Sequence, residues 1–235
     1  MEARLKVVLL RHTPDPQRAC AAAARQCYSP SSVAQLQEKM SEGQVEGLLD
    51  RIVSGGHHSV LEHACFTFAV EGVSRTLTHQ LVRHRVASYS QQSQRYVKEK
   101  DLDYVVPPRI RVDEGLAKKF EEVMRFSQEA YAFLLESGVK KEDARFVLPN
   151  ASETKIVVTM NARELLHFFK VRTCNRAQWE IHALADRMLH ECRKVAPVIF
   201  KYAGPTCVTE RICWEGEMAC EKWKAIEGAE VRKRG

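Results

Sequence analysis

An unusually dense group of polar side chains lies between residues 83 and 96, which read RHRVASYSQQSQRY. Three arginines, one histidine and three serines fall within these fourteen residues. Guanidinium groups and hydroxyls are donors that suit phosphate, carbonyl and ring-nitrogen acceptors. A generic basic cluster is more often a solvated loop. The residue types therefore predict either a pocket for an anionic, nucleotide-like ligand or an exposed basic loop.

The same segment is compatible with a second class of function, a basic module that binds single-stranded nucleic acid. Its arginines alternate with Tyr89 and Tyr96, as in a platform on which bases stack. Such a module has a broad basic footprint, whereas acidic residues interrupt the helix candidate at 177–196. The net charge of +6, from 36 Lys and Arg against 30 Asp and Glu, suits either partner. On the residues alone the two readings are nearly even.

Length and composition limit the class of protein that carries this segment. A chain of 235 residues with 45% hydrophobic content can bury an ordinary core, and one domain is expected. The eight cysteines form no C-x-x-C pair, so we expect reduced thiols and a cytoplasmic protein. The short apolar run near the N-terminus is broken by Lys6 and Arg11, unlike a signal peptide. No membrane-spanning stretch is expected either.

The elements that must position the polar segment alternate between strands and helices. Strand candidates are apolar or β-branched runs and lie at 5–10, at 64–73, at 156–160 and just before Pro107. Helix candidates have apolar residues at helical spacing and lie at 18–26, 44–53, 74–82, 116–135, 141–147, from 162 onward and at 181–196. Asn161 and Glu164 resemble a capping box. Few strands among many helices predict an α+β fold, with a mixed sheet flanked by long helices.

Two other groups of residues could suggest chemistry. The segment HHSVLEH at 57–63 contains neither H-E-x-x-H nor its inverted form, and Cys207, Cys213 and Cys220 lack paired zinc spacing. We therefore expect no metal site. Ser93 has no general base among its immediate neighbours, and no adjacent histidine activates Cys174, so we expect no covalent nucleophile.

The order of residues in the polar segment resembles the signature of flavin-dependent thymidylate synthases. R-H-R is followed by seven residues and then by Ser93, which is the first residue of S-x-R-Y. Further segments of the family occur in the same order across residues 5–203, namely CYSP at 27–30, HHSVLEHACFTF at 57–68, ARFVLP at 144–149, NAREL at 161–165 and AQWEI at 177–181. Ser90 and Gln91 replace the Asn and Glu that many members carry, and Arg176 replaces a His.

The resemblance implies an enzyme that methylates dUMP to dTMP. In the family, methylenetetrahydrofolate donates the carbon and becomes tetrahydrofolate, while NADPH reduces FAD, which donates hydride. It also implies a homotetramer with shared active sites and no nucleic-acid or membrane partner. We expect residues 1–204 to form the catalytic domain and the charged residues 205–235 to be an extension, partly disordered.

The resemblance assigns roles to individual positions. The FAD-binding set is His57, Ser59, Arg83, His84, Arg85, Gln91, Asn161, Ala162, Arg163 and His167. The dUMP-binding set is Gln80, Arg83, Gln91, Gln92, Ser93, Gln94, Arg95, Arg145 and Arg172. Arg172 is also the catalytic candidate, because a fixed guanidinium can stabilise negative charge that develops on the uracil ring.

Overall fold

The computed structural model describes residues 1–96 and 103–233. The helices are α1 (Pro16–Gln26), α2 (Val33–Lys39), α3 (Glu42–Ser54), α4 (Arg75–Leu81), α5 (Pro108–Arg111), α6 (Glu114–Glu136), α7 (Lys141–Ala144), α8 (Ala162–Arg172), α9 (Trp179–Val195) and α10 (Thr206–Thr209). The strands are β1 (Lys6–His12), β2 (Cys65–Ser74), β3 (Ala87–Gln91), β4 (Glu153–Asn161), β5 (Ile212–Cys213) and β6 (Glu230–Val231). Within the described ranges, no helix has the length and apolar character needed to cross a membrane.

The main sheet has four strands in the order β1-β2-β4-β3. Neighbouring strands run antiparallel, whereas a mixed sheet was expected. The pattern of burial along β2 and β4 alternates, as side chains on successive strand residues point to opposite faces. The predicted α+β class is confirmed.

The chain divides into two compact units. The first comprises Met1–Lys6, Ala69–Arg83 and Tyr89–Val157 and contains the long helix α6. The second comprises Val7–Phe68, His84–Ser88 and Val158–Gly235 and contains α8 and α9. The prediction of a 1–204 catalytic domain followed by an extension stays a prediction.

A row of aromatic rings forms the centre of the second unit. Phe66 lies edge-on to Phe200 at 5.5 Å between ring centroids, and Phe200 lies edge-on to Phe169 at 5.8 Å. Phe169 contacts Phe168 at 5.7 Å, and Phe168 meets the ring of His84 at 5.0 Å. Such edge-to-face pairs add about 0.5–1.5 kcal/mol each beyond the area they bury. The row therefore fixes His84 against the core.

Most predicted elements are present with shifted ends, but the polar segment differs from expectation. It contains the strand β3, which sequence patterns did not indicate because its residues ASYSQ include no strongly apolar run. Helix α2 was also not predicted. Before Pro107 the structure has an isolated bridge at Tyr104 rather than a strand, and part of that prediction falls outside the described residues.

The segment after Gly204 carries regular structure as far as residue 233. Helix α10 is followed by β5, which pairs in parallel with β6 through Ile212 opposite Glu230 and Cys213 opposite Val231. Short 3-10 turns at Gly216–Met218 and Glu221–Ala225 lie between the two strands. Cys207 and Cys213 are buried.

Among the glycines of the first unit, Gly72 has the tightest surroundings. Its φ is +69°, and a Cβ there would lie 2.0 Å from the carbonyl oxygen of Arg4. Its N–H donates to the Glu153 carboxylate at 2.9 Å. A close approach of two backbone segments needs glycine for lack of a side chain as well as for its conformation.

We expect Gly72→Ala to destabilise the protein more than Gly138→Ala. Both glycines have positive φ, but a Cβ on Gly138 meets nothing within 4 Å. The left-handed conformation costs a non-glycine residue about 1–2 kcal/mol at either position. Gly72→Ala adds the clash with Arg4, and overpacking of this kind costs about 1–3 kcal/mol. Urea unfolding of both variants measures the difference, and equal losses would contradict the steric account.

Candidate active site

The imidazole of His84 is a buried polar group of the second unit. It is 6% exposed and lies between two charged side chains of α8. Its Nδ1 is 3.1 Å from Oε1 of Glu164, and its Nε2 is 3.1 Å from Nε of Arg172. Because the arginine N–H can only donate, Nε2 accepts and Nδ1–H donates to the carboxylate. The three side chains form a chain of hydrogen bonds from Glu164 through His84 to Arg172.

The spacing of α8 explains how one helix supplies both ends of this chain. Glu164, Phe168 and Arg172 are four residues apart and share a face of the helix. The carboxylate and guanidinium hold the two nitrogens of His84, and the Phe168 ring packs against the imidazole between them. The orientation of Arg172 therefore depends on a histidine from outside its own helix.

The protonation state follows from burial and from the neighbouring charges. Burial lowers the pKa of His84 to about 4, and the positive charge of Arg172 and the nearby His167 add to the effect. Burial also raises the pKa of Glu164, while His167 opposes that rise. The imidazole is thus neutral at pH 7, which matches the donor and acceptor roles that the two hydrogen bonds require.

The start of α8 only half matches the predicted capping box. Asn161 accepts a hydrogen bond from the backbone N–H of Glu164 at 2.9 Å, as predicted for the cap. The Glu164 side chain instead binds His84. The backbone N–H of Ala162 donates to the carbonyl of Ala64 at 2.7 Å. The helix start therefore offers fewer free amides to a ligand than the sequence suggested.

A second face of α8 lines a cavity of about 630 Å³, within the usual range for small-molecule sites. Arg163, His167 and Lys170 of this face line it, together with His58 and Arg211. Its walls come from the end of α3, the 3-10 turn His58–His63, α8 and the residues around α10, all in the second unit. The cavity thus combines a large volume with several cationic side chains.

Two of these cations are paired with carboxylates. Arg163 Nη1 lies 2.5 Å from Oε1 of Glu62, and Lys170 Nζ forms an ion pair with Glu210. Both pairs are partly exposed, where an ion pair contributes about 0–1 kcal/mol. An anionic ligand can therefore replace these carboxylates at low cost.

The first unit brings together three residues of the predicted dUMP-binding set around one short segment. The Arg95 guanidinium is 3.0 Å from the carboxylate of Glu142, and Arg145 Nε donates to the backbone carbonyl of the same residue at 3.0 Å. Ser93 Oγ accepts from the backbone N–H of Arg95 at 3.2 Å. Two guanidinium groups and a hydroxyl at this spacing suit a phosphate dianion.

The glutamines of the polar segment are held by neighbours of the same unit. Gln91 Nε2 donates to the hydroxyls of Thr78 and Thr154, at 3.4 and 3.3 Å. The Gln92 carbonyl accepts from Arg75 at 2.9 Å. Gln94 is buried, and its Nε2 has no hydrogen-bond partner among the residues that the structure describes. A buried donor of this kind is available to a ligand acceptor.

The other predicted residues are distributed between the two units. Gln80 and Arg83 belong to the first unit, and His57, Ser59 and Arg85 belong to the second. Exposed side chains among the FAD-binding set are those of His57, Ser59, Arg83, Arg85, Arg163 and His167. Only Arg163 and His167 of that set line the large cavity.

Sequence reasoning missed several residues of this region. His58, Lys170 and Arg211 line the cavity, and Glu164 holds His84. His58 stood beside the predicted His57, and its 3-10 turn decides which of the two faces the cavity. Glu164 had a local role as a cap partner, and nothing in the sequence indicated a contact with a residue 80 positions away.

Ligand atoms of His84, Glu164 and His167 all lie within 4.8 Å of one another, a spacing that could hold a metal ion. The hydrogen bonds already described account for this arrangement without a metal. A cation placed there would also sit beside the guanidinium of Arg172 and be repelled by it.

A family model described as "Thymidylate synthase complementing protein" matches residues 8–198. The chain belongs to this family. The resemblance found in the sequence is thereby confirmed. The residues that the match covers include the whole of α8 and the segment 83–96.

Relatives within the thymidylate synthase complementing protein family are similar over nearly their full length. The chain is 54% identical to a flavin-dependent thymidylate synthase of Geobacter sulfurreducens, with 97% of each chain covered. It is 51% identical to the enzyme of the same name from Clostridium tetani, covering 97% of this chain and 96% of the relative.

A solved structure of similar fold is the UMP/dUMP methylase PolB from Streptomyces cacaoi, bound with 5-Br dUMP. The TM-score is 0.76 at 26% sequence identity, and the match covers 85% of this chain and 94% of that one. The chain therefore shares its fold with a protein whose bound ligand is a uracil nucleotide.

The neutral state of His84 predicts a pH dependence of stability. Its folded-state pKa of about 4 lies below the ordinary 6.5, so between these values the unfolded chain binds a proton that the folded chain does not. The free energy of unfolding should fall as pH drops from 6.5 to 4, by about 3 kcal/mol from this group. Urea unfolding of wild type and His84→Gln across this range measures the contribution. An identical pH dependence in both proteins would show that His84 is not buried as a neutral group.

Proposed function

We propose that the residues around His84 and Arg172 serve the methylation of dUMP to dTMP. The proposal rests mainly on the guanidinium of Arg172, which the buried, neutral imidazole of His84 orients. The chain that carries it is 54% identical to a flavin-dependent thymidylate synthase. The enzyme takes its carbon from methylenetetrahydrofolate, its cofactor is FAD, and NADPH is the reductant. The rival function, a single-stranded nucleic-acid-binding module, has no support from the relatives.

FAD fits the residues of the second unit. The 630 Å³ cavity has Arg163, Lys170 and Arg211 on its walls, which suits an anionic cofactor segment, and Leu166 and Val208 add apolar surface for a ring. When bound, FAD supplies the hydride for the reaction. The protein's part is to hold the cofactor, with Arg163 and His167 from α8 and with Asn161 fixing the start of that helix. His57, Ser59, Arg83 and Arg85 complete the proposed set as exposed donors.

The first unit supplies donors for dUMP. Ser93, Arg95 and Arg145 would bind the phosphate, which takes the place of the Glu142 carboxylate at Arg95. The buried Nε2 of Gln94 would donate to an acceptor on the nucleotide. Gln80, Arg83, Gln91 and Gln92 belong to the same proposed set.

Arg172 has the chemical role in this proposal. As hydride or the one-carbon unit reaches the uracil ring, negative charge spreads to the ring carbonyls. A guanidinium held in advance by His84 stabilises that charge without reorganising. Loss of a single donor of this kind costs an enzyme about 10²–10³ in rate.

No protein nucleophile is part of the proposal. Burial raises the pKa of the Cys174 thiol, so the cysteine nearest to Arg172 in sequence is not an activated thiolate. Ser93 accepts a backbone hydrogen bond and has arginine rather than a base beside it. Both side chains are suited to roles other than covalent attack.

The assembly and the compartment are further parts of the proposal. We infer a homotetramer with shared sites because the family resemblance implies one, and Arg83 and Arg85 are exposed donors. We also infer a cytoplasmic enzyme, since all eight cysteines are free thiols.

The proposed function predicts a yellow protein. The purified chain should contain FAD or take it up on addition, and dUMP should perturb the flavin absorption because a hydride acceptor must lie close to its donor. A visible absorption spectrum with and without dUMP measures both effects. A colourless protein that ignores added FAD and binds oligonucleotides would overturn the enzyme assignment in favour of the nucleic-acid module.

Arg172→Ala should lower dTMP formation about 10²–10³-fold with FAD content retained. Arg172→Lys should restore little, because a lysine lacks the planar fork that binds two acceptors. The exposed Arg187 on α9 provides a matched control, and Arg187→Ala should keep wild-type turnover. Turnover at saturating dUMP is the measurement, and wild-type rates in Arg172→Ala would remove this residue from the mechanism.

A further inference from the structure

Four cysteines of the second unit line one small cavity. They are Cys174, Cys207, Cys213 and Cys220, here called the four-cysteine cluster. The other cavity walls include Pro205 and Trp223 on the apolar side and Arg176 and Lys222 on the polar side. All four cysteines are free thiols. None of them has a part in the proposed chemistry of dUMP.

The fold gathers these cysteines from separate elements. Cys174 lies in the loop between α8 and α9, Cys207 in α10, and Cys213 in β5. Cys220 directly precedes the 3-10 turn Glu221–Ala225. The pairing of β5 with β6 folds the segment after Gly204 back on itself and so brings its three cysteines to the loop that carries the fourth.

The dimensions of the cavity exclude an organic ligand. Its volume is about 10 Å³, roughly the space for a single water-sized sphere. Cys207 and Cys213 are buried, and Cys174 and Cys220 are half-buried.

We propose that the four-cysteine cluster binds one zinc ion in a closed structural site. Four thiolates are the ligand set of many structural zinc sites, in which the metal is tetrahedral with no open position. Among the described residues, no three of these sulfurs lie within 4.8 Å of one another, so binding would draw them together to a common centre about 2.3 Å from each. It would also displace the thiol protons.

The charges around the cluster suit this ion. A zinc ion with four thiolates carries a net charge of −2, which the protein must offset where water is largely excluded. Lys222 and Arg176 both line the cavity, as does Glu215, whose carboxylate lies 3.8 Å from Arg176. Lys222 also donates to the carbonyl of Thr173 at 3.5 Å, which holds it beside the loop of Cys174.

The zinc site departs from what cysteine spacing predicted. Five residues separate Cys207 from Cys213 and six separate Cys213 from Cys220, so no paired C-x-x-C knuckle is present. The fourth ligand comes from a loop far earlier in the chain. A pattern search in sequence detects only local pairs, whereas this site is completed by tertiary structure.

The inferred site has a structural consequence for Arg172. Cys174 is two residues beyond Arg172, at the end of α8. Zinc would tie the segment after Gly204 to this helix end and fix it from the side opposite to the Asn161 cap. The site is independent of the proposed function, since it would hold whatever reaction α8 serves.

The test is the zinc content of the purified holoprotein after dialysis against EDTA, measured by inductively coupled plasma mass spectrometry. We expect about one zinc per chain, the stoichiometry of a closed four-cysteine site. Cys213→Ser should lower the content at least about ten-fold. Cys27→Ser and Cys65→Ser change exposed cysteines outside the cluster and should leave it unchanged.

A second measurement on the wild type covers the case in which Cys213→Ser fails to fold. Titration with a mercurial thiol reagent should release the zinc, and replacement by cobalt should give the thiolate-to-metal charge-transfer and visible bands of a tetrahedral four-sulfur site. Zinc well below one per chain in wild type, or equal zinc in Cys213→Ser, would overturn the proposal. Disulfides mapped among the four cysteines in freshly alkylated protein would overturn it as well.

Discussion

The buried hydrogen bonds of His84 are the interaction on which the candidate site depends. A neutral imidazole donates through Nδ1 to Glu164 and accepts through Nε2 from Arg172. Protonation of His84 at Nε2 leaves the Arg172 N–H without its acceptor. Loss of Glu164 or Arg172 likewise leaves a nitrogen of the buried imidazole without its hydrogen bond. Each such loss costs about 1–3 kcal/mol. Because His84 is buried and hydrogen-bonded on both sides, it fixes the direction of the Arg172 guanidinium.

Helix α8 connects this interaction to the rest of the second unit. One face carries Glu164, Phe168 and Arg172 toward His84, and another carries Arg163, His167 and Lys170 toward the cavity. Phe168 and Phe169 anchor the helix in the row of aromatic rings that ends at Phe66. In the proposal, one face of α8 therefore stabilises negative charge on the uracil ring and the other face binds FAD. A shift of this helix would alter both roles together.

The sequence predicted the features that depend on local patterns. The apolar spacing of α6 and α9 and the Asn161 cap of α8 were found because neighbours within a few residues determine them. The order of residues in the polar segment led to the family, which the comparisons confirmed. The site residues inferred from that resemblance remain proposals.

What the sequence could not predict depends on contacts between distant residues. Glu164 had a plausible local partner in the cap, and its actual partner His84 is 80 residues away. The four cysteines come from separate elements, so their spacing in the sequence did not indicate that they line one cavity. Strand β3 is polar and short, and its place beside β4 in the sheet order rather than its own composition makes it a strand.

We infer that Glu164 acts on the reaction through His84, by orienting Arg172. The direct test is a double-mutant cycle that compares dTMP formation at saturating dUMP in Glu164→Ala, Arg172→Ala and the combined variant, each with its FAD content checked. We predict that Glu164→Ala slows the wild type about 10-fold and has almost no further effect once Arg172 is removed. Glu164→Gln should keep most activity, because an amide oxygen still accepts from His84 Nδ1. Equal fold losses from Glu164→Ala in both backgrounds would show that Glu164 does not act through Arg172.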